Sequence, residues 1–352
     1  MSGTIRPRMR FDELADVIRE HGASLAVEVT TAFLDRHPDW RERYGSRAMS
    51  AGVQDAGYHV AFLAAAVEAD DPSAFADYAR WTARVLAARG IESRFLAENL
   101  AQVQSALAAR LGFDRGSVLT RHFQAAQDAL ALEPALPNEP VLNLTAQVFL
   151  QAIITGQRHA AVQIAKEALR SGLSLRELYI DVFQPALYEV GGRWESNRLT
   201  VAQEHIATAI TQYVMAQVYE APDVRTAAAK GRIVLTGVEG ELHSVGAVMV
   251  GDLLETSGFH VRFLGTNLPT ASILGVIRDV TPSHVGISAT MLFNIGAVRQ
   301  LVHAVRAEFA DRVVIVVGGA AFRTNADLWR QVSADAYAAD LLGIDAAFTA
   351  KN

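Results

Sequence analysis

The spacing of hydrophobic residues divides the chain into two helical regions and a third region in which strands and helices alternate. From about residue 10 to 132, Ala, Leu, Arg and Glu recur at helical spacing, and almost no β-branched run interrupts them. Asp70-Asp71-Pro72 predicts a helix start, because an acidic capping residue precedes a proline in the first turn. Gly90 breaks the helical pattern. We therefore predict that residues 1–132 form a domain of several helices.

A proline-rich segment separates this region from the next. Residues 133–140 read EPALPNEP and carry three prolines without an apolar period, which is typical of a linker. Residues 141–225 then return to helical spacing, with apolar positions such as Leu144 and Val148 one turn apart. This spacing predicts four short helices, and four short helices fit a small bundle.

Local signals place the ends of these four helices. Ser174 and Glu177 match a capping box, and Thr200 stands where a later helix would start. Pro185 and Gly191-Gly192 are predicted to interrupt the stretch between those two starts.

Residues 230–352 alternate short apolar runs with helical segments. This alternation predicts a parallel sheet with crossover helices. Ligands of such sheets bind beyond the carboxyl ends of the strands. The predicted strands are Arg232–Thr236, His260–Leu264, Val285–Ser288, Val313–Val317 and Ala336–Ala339.

The composition narrows the classes of protein that are possible. The 352 residues carry a net charge of -6 and no run of Lys or Arg, so we expect no nucleic-acid partner, because binding phosphates needs clustered cations. There is no cysteine, which excludes disulfides, thiolate metal sites and thioether-linked chromophores. The start lacks the apolar stretch of a signal peptide, and no apolar run has the length of a membrane span. We therefore expect a cytoplasmic protein without a membrane partner.

Three short segments follow strands of the predicted sheet and carry candidate chemistry. Glu239 to Gly246 follows the first strand, Ser288-Ala289-Thr290 the third, and Gly318-Gly319 the fourth. The carboxyl ends of parallel strands meet at one edge, so we expect these segments to converge there. No nucleophile or acid–base constellation accompanies them, so we identify no catalytic residue.

His243 is the candidate metal ligand of this edge. Glu241, two residues before it, can bond one imidazole nitrogen, which fixes the tautomer and raises the basicity of the other nitrogen. The hydroxyls of Ser288 and Thr290 and the pair Gly318-Gly319 would border a bulky group close to the backbone. Each feature alone is common in α/β proteins, but their order along the chain is specific.

These motifs resemble those of the cobalamin-binding domains of corrinoid methyl carriers, mutases and cobalamin photoreceptors. The family pattern is Asp-x-His-x-x-Gly, then Ser-x-Thr or Ser-x-Leu, then Gly-Gly. This chain has Glu241-Leu242-His243-Ser244-Val245-Gly246, with Glu in place of Asp, and then the two later motifs. The resemblance implies a flavodoxin-like, Rossmann-type sheet over residues 230–352 and His243 as the lower ligand of cobalt. It also implies a nucleotide base lined by Ser288, Thr290, Gly318 and Gly319.

The second region adds a motif on the opposite side. Trp194 is followed, after nine residues, by Glu204-His205, and this spacing resembles that of light-sensing adenosylcobalamin proteins. The resemblance implies a four-helix bundle cap over the upper face of cobalamin, with Trp194 on the adenosyl group, Glu204 contacting it and His205 close by. Glu195 departs from the pattern, because light-sensing repressors of the family have a His there. A packed indole and an acidic helix start would explain the same residues without a ligand.

Aromatic residues mark one helix face in the first region. Phe75, Tyr78, Trp81 and Val85 recur at intervals of three to four, which is also typical of a hydrophobic core. The functional alternative is a planar chromophore that lies between the aromatic rings.

His59 would approach a ring nitrogen of this chromophore or the iron of a haem, and Arg80 or Arg84 would pair with propionates. The helical layout looks globin-like. Globin-like helices ahead of a cobalamin unit resemble the photocobilins, and this resemblance implies biliverdin, held non-covalently because there is no cysteine.

Three functions follow from these observations. The favoured one is a light-sensing signalling protein rather than an enzyme, with adenosylcobalamin and biliverdin as chromophores and a homo-oligomer or a separate effector protein as its output. The second is a corrinoid methyl carrier of a methyltransferase system. The third is a haem-type sensor coupled to a cobalamin domain. Trp194 favours the first, because a methyl carrier needs an open upper face.

Overall fold

The computed structural model of this chain describes residues 10–111, 113–132, 141–219, 230–323, 325 and 327–349, and of residues 113–117 it describes the backbone alone. The chain divides into two compact units, Met1–Ala135 and Leu136–Asn352. The predicted linker, residues 133–140, lies outside the described residues. The other predicted domain limits stay predictions.

The described part of the first unit is helical, as the apolar spacing predicts. The Asp71 carboxylate accepts the backbone N–H groups of Ser73 at 2.9 Å and Ala74 at 3.2 Å, and Pro72 occupies the first turn, so the predicted helix start is confirmed. The globin-like form of this unit stays a prediction. Its helices are α1 Phe11–Arg36, α2 Pro38–Tyr44, α3 Arg47–Glu68, α4 Pro72–Ala87, α5 Ser93–Leu111 and α6 Phe113–Leu130.

The second unit begins with a helical bundle, which we call the cap. Both predicted helix starts are confirmed. Ser174 and Glu177 form a capping box, and Thr200 Oγ1 accepts the N–H of Gln203 at 3.2 Å. The cap consists of α7 Leu144–Ile154, α8 Arg158–Arg170, α9 Leu175–Leu178, a π-helical turn Tyr179–Phe183, α10 Gln184–Glu195 and α11 Val201–Val218.

Contrary to the prediction, Pro185 and Gly191-Gly192 do not interrupt the cap. Pro185 lies in the first turn of α10, where a missing N–H costs little. The π-helical turn directly before it makes the wider bond from the Gln184 N–H to the Tyr179 carbonyl. Both glycines lie inside α10, and the buried face of that helix outweighs their low helix propensity.

Five parallel strands form the sheet in the described part of the second unit, in the order β2-β1-β3-β4-β5. The predicted parallel sheet is confirmed, and each strand limit differs from its prediction by at most one residue. The strands are β1 Arg232–Gly237, β2 His260–Phe263, β3 His284–Ser288, β4 Val314–Gly318 and β5 Ala336–Ala338. The helices are α12 Val245–Thr256, α13 Thr270–Val280, α14 Ile295–Phe309, α15 Leu328–Gln331 and α16 Ile344–Thr349.

The strand order opens a crevice at β1. From this strand the sheet extends to β2 on one side and to β3 on the other, and ligands of α/β sheets bind at such a switch point. The register aligns the strand ends, because Gly237 lies opposite Ser288, and Ser288 lies opposite Gly318. The three predicted segments therefore meet at one edge of the sheet.

The cap and the sheet share one hydrophobic core. Leu178 and Tyr179 of the cap are buried in the same cluster as Leu253 and Leu254 of α12. Burial of apolar area stabilises this contact by roughly 25 cal/mol per Å². Within the described ranges, none of the helices combines the length and the apolar character that crossing a bilayer requires.

Candidate functional site

The loop between β1 and α12 carries the candidate ligand. Gly240 has a φ of +83°, in the left-handed region that favours glycine. Its N–H donates to Asn267 Oδ1 at 2.9 Å, and the N–H of Glu241 donates to the Val238 carbonyl at 3.1 Å. These bonds fold the loop over the sheet edge and place His243 directly before α12.

Glu241 is fully buried, and both of its carboxylate oxygens accept hydrogen bonds. Oε1 accepts the backbone N–H of His243 at 2.8 Å and lies 2.7 Å from His243 Nδ1. Oε2 accepts the N–H of Thr290 at 2.6 Å and the side-chain amide of Asn294 at 3.0 Å. A carboxylate can only accept, so Nδ1 carries the proton and Nε2 keeps its lone pair for a metal.

The electrostatics of this pair favour the charged carboxylate. Burial opposes ionisation of Glu241, but the hydrogen bonds from His243 and Thr290 outweigh it and hold the pKa below its ordinary value of 4.5. The bond to Glu241 raises the pKa of His243. Burial opposes this rise, and the charges of Glu241 and Glu204 add to it. An anion behind the imidazole makes Nε2 a stronger electron donor toward a metal.

Ser288 and Thr290 lie at the end of β3, as predicted. Ser288 is the last residue of that strand and is partly buried. Thr290 also donates its backbone N–H to Glu241, a contact that the sequence did not predict, and the role of its hydroxyl beside a nucleotide base stays a prediction.

Gly318 and Gly319 are required by the backbone around them. Gly319 has a φ of +102°, and a Cβ there would lie 2.2 Å from the Ala289 carbonyl oxygen. A Cβ on Gly318 would lie 3.0 Å from the Ala338 carbonyl oxygen. The double glycine therefore brings three strand ends together, whereas the sequence predicted only that it would border a bulky group.

The start of α12 is open. A Cβ on Gly246 would have no neighbour within 4 Å, and Leu242 is 75% exposed beside the half-exposed His243. A large exposed leucine next to an oriented imidazole is a surface that an apolar ring system would cover.

The cap presents its own predicted residues near the start of α11. Trp194 lies close to the end of α10, and Glu204 and His205 lie in the first turns of α11. Glu204 accepts the hydroxyl of Thr208 at 3.0 Å and pairs with His205 Nδ1. The His205 side chain is 74% exposed.

A hydrogen bond places α11 close to the His243 loop. Gln212 donates its amide to Ser244 Oγ at 3.1 Å, and the charge of Glu204 contributes to the raised pKa of His243. The structure therefore gathers Glu204 with Glu241 and His243 in one part of the second unit.

The predicted residues of the first unit form a packed cluster. His59 is 4% exposed, and its Nδ1 lies 2.6 Å from the Tyr78 hydroxyl, while Phe62 stacks on Tyr78 with ring centroids 4.0 Å apart. Burial lowers the pKa of His59 to about 4, so this imidazole is neutral at pH 7. The ring centroids of Trp81 and Tyr78 lie 6.3 Å apart.

The two arginines of this cluster lie on α4. Arg80 pairs with Asp77 one turn earlier, and Arg84 lies in the last turn of that helix. The prediction that they bind propionates stays untested.

Sequence reasoning missed two asparagines that hold the ligand loop. Asn294, 4% exposed, binds Glu241 from the start of α14, and Asn267 binds Gly240 from a left-handed position with φ +60°. A single asparagine between a strand and a helix looks like an ordinary turn residue, so only the fold identifies these two.

The site fits a corrin cofactor. An imidazole with a fixed tautomer, an open helix start without a side chain at Gly246, and an exposed apolar neighbour meet at the switch point of the sheet.

Comparison with known proteins gives the same class. Two families described as B12 binding domain match the chain, one over residues 145–219 and the other over residues 231–345. Dimethylamine corrinoid protein 3 of Methanosarcina mazei is 30% identical over 153 residues, which are 43% of this chain and 90% of that protein. The dimethylamine corrinoid protein of Methanosarcina barkeri is 28% identical over 195 residues, 54% of this chain and 90% of that protein. The chain belongs to the B12-binding family of corrinoid proteins.

A solved structure agrees on the fold. The Methanosarcina barkeri monomethylamine corrinoid protein superposes with a TM-score of 0.50 at 19% identity, over 57% of this chain and 94% of that protein. The two family matches support cobalamin as the cofactor class of the second unit.

The preference for a light-sensing signalling function is wrong. The relatives that match about half of this chain are corrinoid proteins named for methylated amines, and the alternative of a methyl carrier accounts for them better. The spacing of Trp194 and Glu204-His205 led to the wrong choice. It places two residues at the start of α11 but does not decide which group they face.

Proposed function

We propose that this protein is a corrinoid methyl carrier, which receives a methyl group from a methylated small molecule and presents it to a separate methyltransferase. The observation that carries the proposal is the hydrogen bond of His243 Nδ1 to the buried Glu241 at the open edge of a B12-binding sheet. The names of the relatives suggest methylated amines as the substrate class.

The lower face is assigned to the residues of the sheet edge. His243 would hold the cobalt through Nε2, with Glu241 fixing the tautomer and orientation of the imidazole. Leu242 and Gly246 would border the corrin ring at the start of α12. The segments that end β3 and β4, which contain Ser288, Thr290, Gly318 and Gly319, would hold the nucleotide base.

When bound, the cobalt supplies a centre that can accept and release a methyl group. The residues of the cap control access to that centre from above. Trp194 and Glu204 belong to this upper side, and His205 is exposed enough to meet solvent or a partner. A carrier must uncover this side, so we assign to the cap the role of a movable cover rather than that of a permanent lid.

Some predictions about ligands are separate from this proposal. An adenosyl group as the upper ligand stays a prediction, and so does biliverdin beside His59, Tyr78 and Trp81. The carrier function needs neither of them.

A labelling experiment tests the proposal. The chain loaded with cobalamin is incubated under reducing conditions with ¹³C-methyl-labelled mono-, di- and trimethylamine and an extract of the cells that produce it. The protein is then re-isolated in the dark and its label is measured. We expect label on the wild-type protein and at least a tenfold loss in His243→Ala.

His303→Ala is the matched control, because His303 is an exposed histidine of the same domain outside the site. It should label like the wild type. A wild-type protein that stays unlabelled with all three amines contradicts a carrier function for this substrate class, and equal labelling of His243→Ala contradicts the assignment of the ligand.

A further inference from the structure

Two tyrosine–carboxylate pairs join the cap to α12. The Tyr179 hydroxyl donates to Asp252 Oδ2 at 2.6 Å, and the Tyr219 hydroxyl donates to Glu255. Asp252 and Glu255 lie three residues apart and so share one face of α12. Neither carboxylate forms an ion pair with a Lys or Arg of the described ranges. These two part-buried acids therefore depend on phenol hydroxyls from the cap.

The pairs lie at the end of the cap that is remote from His243. The helix α12 starts at Val245 beside the site and runs back along the sheet, so Asp252 is about 10 Å further along it at 1.5 Å per residue.

Nearer the site, two polar contacts between the cap and the sheet domain in the described part of the chain are exposed, Gln212 to Ser244 at 3.1 Å and Arg323 to the Tyr188 hydroxyl at 3.2 Å. Exposed contacts of this kind contribute little stability. These two exposed contacts therefore hold the cap less firmly than the part-buried tyrosine–carboxylate pairs do.

Tyr179 is suited to be a pivot. It begins the π-helical turn Tyr179–Phe183, and π-helical turns break the regular helix ladder and often mark functional positions. Its ring is buried with Phe183, which stacks on Phe149 with centroids 4.6 Å apart. The core of the cap thus holds the ring, while its hydroxyl reaches across to α12.

We propose that Tyr179–Asp252 and Tyr219–Glu255 form a proton-sensitive hinge that sets how far the cap opens over the His243 edge. A protonated Asp252 keeps both pairs closed. An ionised Asp252 beside Glu255 places two like charges in a partly dry contact, and opening returns them to water.

The groups around Asp252 set the direction of the effect. Tyr179 faces it from the π-helical turn, Tyr219 from the end of α11, and Glu255 from the same helix. Arg176, the cation of α9, is engaged elsewhere: it binds Asp345 and the Leu341 carbonyl, each at 2.6 Å. No positive charge among these contacts compensates an ionised Asp252.

The pH range follows from the same contacts. Burial and then the charge of Glu255 raise the pKa of Asp252 from 3.8 to about 6, against the effect of the Tyr179 bond. In the open state the carboxyl group meets water, and its pKa falls toward the ordinary value. The closed state therefore binds more protons between these values, so opening becomes easier as the pH rises through about 6. A shift of about two units corresponds to roughly a 100-fold change in the ratio of open to closed cap.

The experiment measures cap opening directly, in the full chain without cobalamin. Because the chain has no cysteine, Ala209→Cys on α11 and Ser272→Cys on α13, both exposed, accept a specific pair of spin labels. Pulsed electron paramagnetic resonance then gives the distribution of distances between the labels at pH 5 and pH 8. We expect one short distance at pH 5 and a longer population that grows at least tenfold by pH 8.

Three variants separate the hinge from general loosening. Asp252→Asn removes the charge and keeps the shape, so the short distance should persist at both pH values. Tyr179→Phe removes the hydroxyl, so the long population should be present at both. Tyr213→Phe, an exposed tyrosine of α11 that packs under Arg158, should respond like the wild type.

Two results would overturn the proposal: identical distances at pH 5 and pH 8 in the wild-type background, or a pH response that survives Asp252→Asn. Circular dichroism confirms that each labelled variant is folded. If a variant does not fold, the comparison of pH 5 and pH 8 in the wild-type background decides the proposal. The measurement uses neither a methyl donor nor cobalamin, so it stands or falls independently of the carrier function.

Discussion

His243 Nδ1 lies 2.7 Å from Oε1 of Glu241, and the same oxygen accepts the backbone N–H of His243 at 2.8 Å. The carboxylate thus sets both the position of the residue and the orientation of its ring. Glu241 is fully buried, whereas His243 is half exposed. The free nitrogen of the imidazole, Nε2, is therefore oriented by a carboxylate that solvent does not reach.

Loss of this partner should weaken cofactor binding more than it weakens the fold. Glu241→Gln keeps the size of the side chain but places an amide N–H against a donor. Partners of this kind typically change metal affinity by about 10- to 100-fold. We expect the Kd for cobalamin, measured by equilibrium dialysis, to rise within that range. An unchanged Kd would show that Glu241 does not orient the ligand.

Asn294 should act through Glu241. In Asn294→Leu, Oε2 keeps the Thr290 N–H but loses the amide, so the carboxylate is less firmly held. We expect about a tenfold rise in the Kd for cobalamin, and Asn294→Gln should restore part of the loss if its amide reaches the carboxylate. Equal affinities of Asn294→Leu and the wild type would exclude this role.

Gly319 and Gly246 should respond differently to substitution by alanine. Gly319→Ala pushes a Cβ against the Ala289 carbonyl oxygen and strains a positive φ, so the free energy of unfolding should fall by at least about 2 kcal/mol. Gly246→Ala meets no neighbour, so the fold should persist while cobalamin binds more weakly. Urea denaturation and dialysis compare the two variants. A destabilised Gly246→Ala, or an unaffected Gly319→Ala, would reverse this assignment.

His59 makes the stability of the first unit depend on pH. Its folded pKa is about 4 against 6.5 in the unfolded chain, so the folded unit binds fewer protons between these values. Stability contributed by the neutral ring is present above pH 6.5 and is lost as the pH falls toward 4, by up to about 3 kcal/mol. Hydrogen exchange of the α3 amides, corrected for the intrinsic rate, should show this loss. A His59→Phe protein should not show it, and the prediction fails if both proteins respond alike.

The sequence predicted the sheet of the second unit well, because short apolar runs such as Val313–Val317 alternate with helices and are followed by distinctive residues. It also predicted the pairing of Glu241 with His243, since residues so close along a loop can meet without knowledge of the fold. Asn294 was missed because it reaches Glu241 from a strand–helix junction 53 positions away. Pro185 and Gly191-Gly192 were misread because packing and a π-helical turn override local propensity.

The choice of function failed for a related reason. The spacing of Trp194 and Glu204-His205 identifies two positions on the cap. A cap with these residues can act either as a fixed lid or as a movable cover. What separates those functions is the group above the cobalt and the partner that approaches it, and neither leaves a pattern in one sequence.

The most direct test of the account is the electron paramagnetic resonance spectrum of the Co(II) form of the cobalamin-loaded protein, made with ¹⁵N-histidine and natural-abundance cobalamin. If His243 is the lower ligand, each cobalt line splits into a doublet from the ¹⁵N nucleus, and His243→Ala loses this doublet while His303→Ala keeps it. A triplet in the ¹⁵N-labelled wild-type protein, as the ¹⁴N of the cofactor's own base produces, would contradict the assignment of His243.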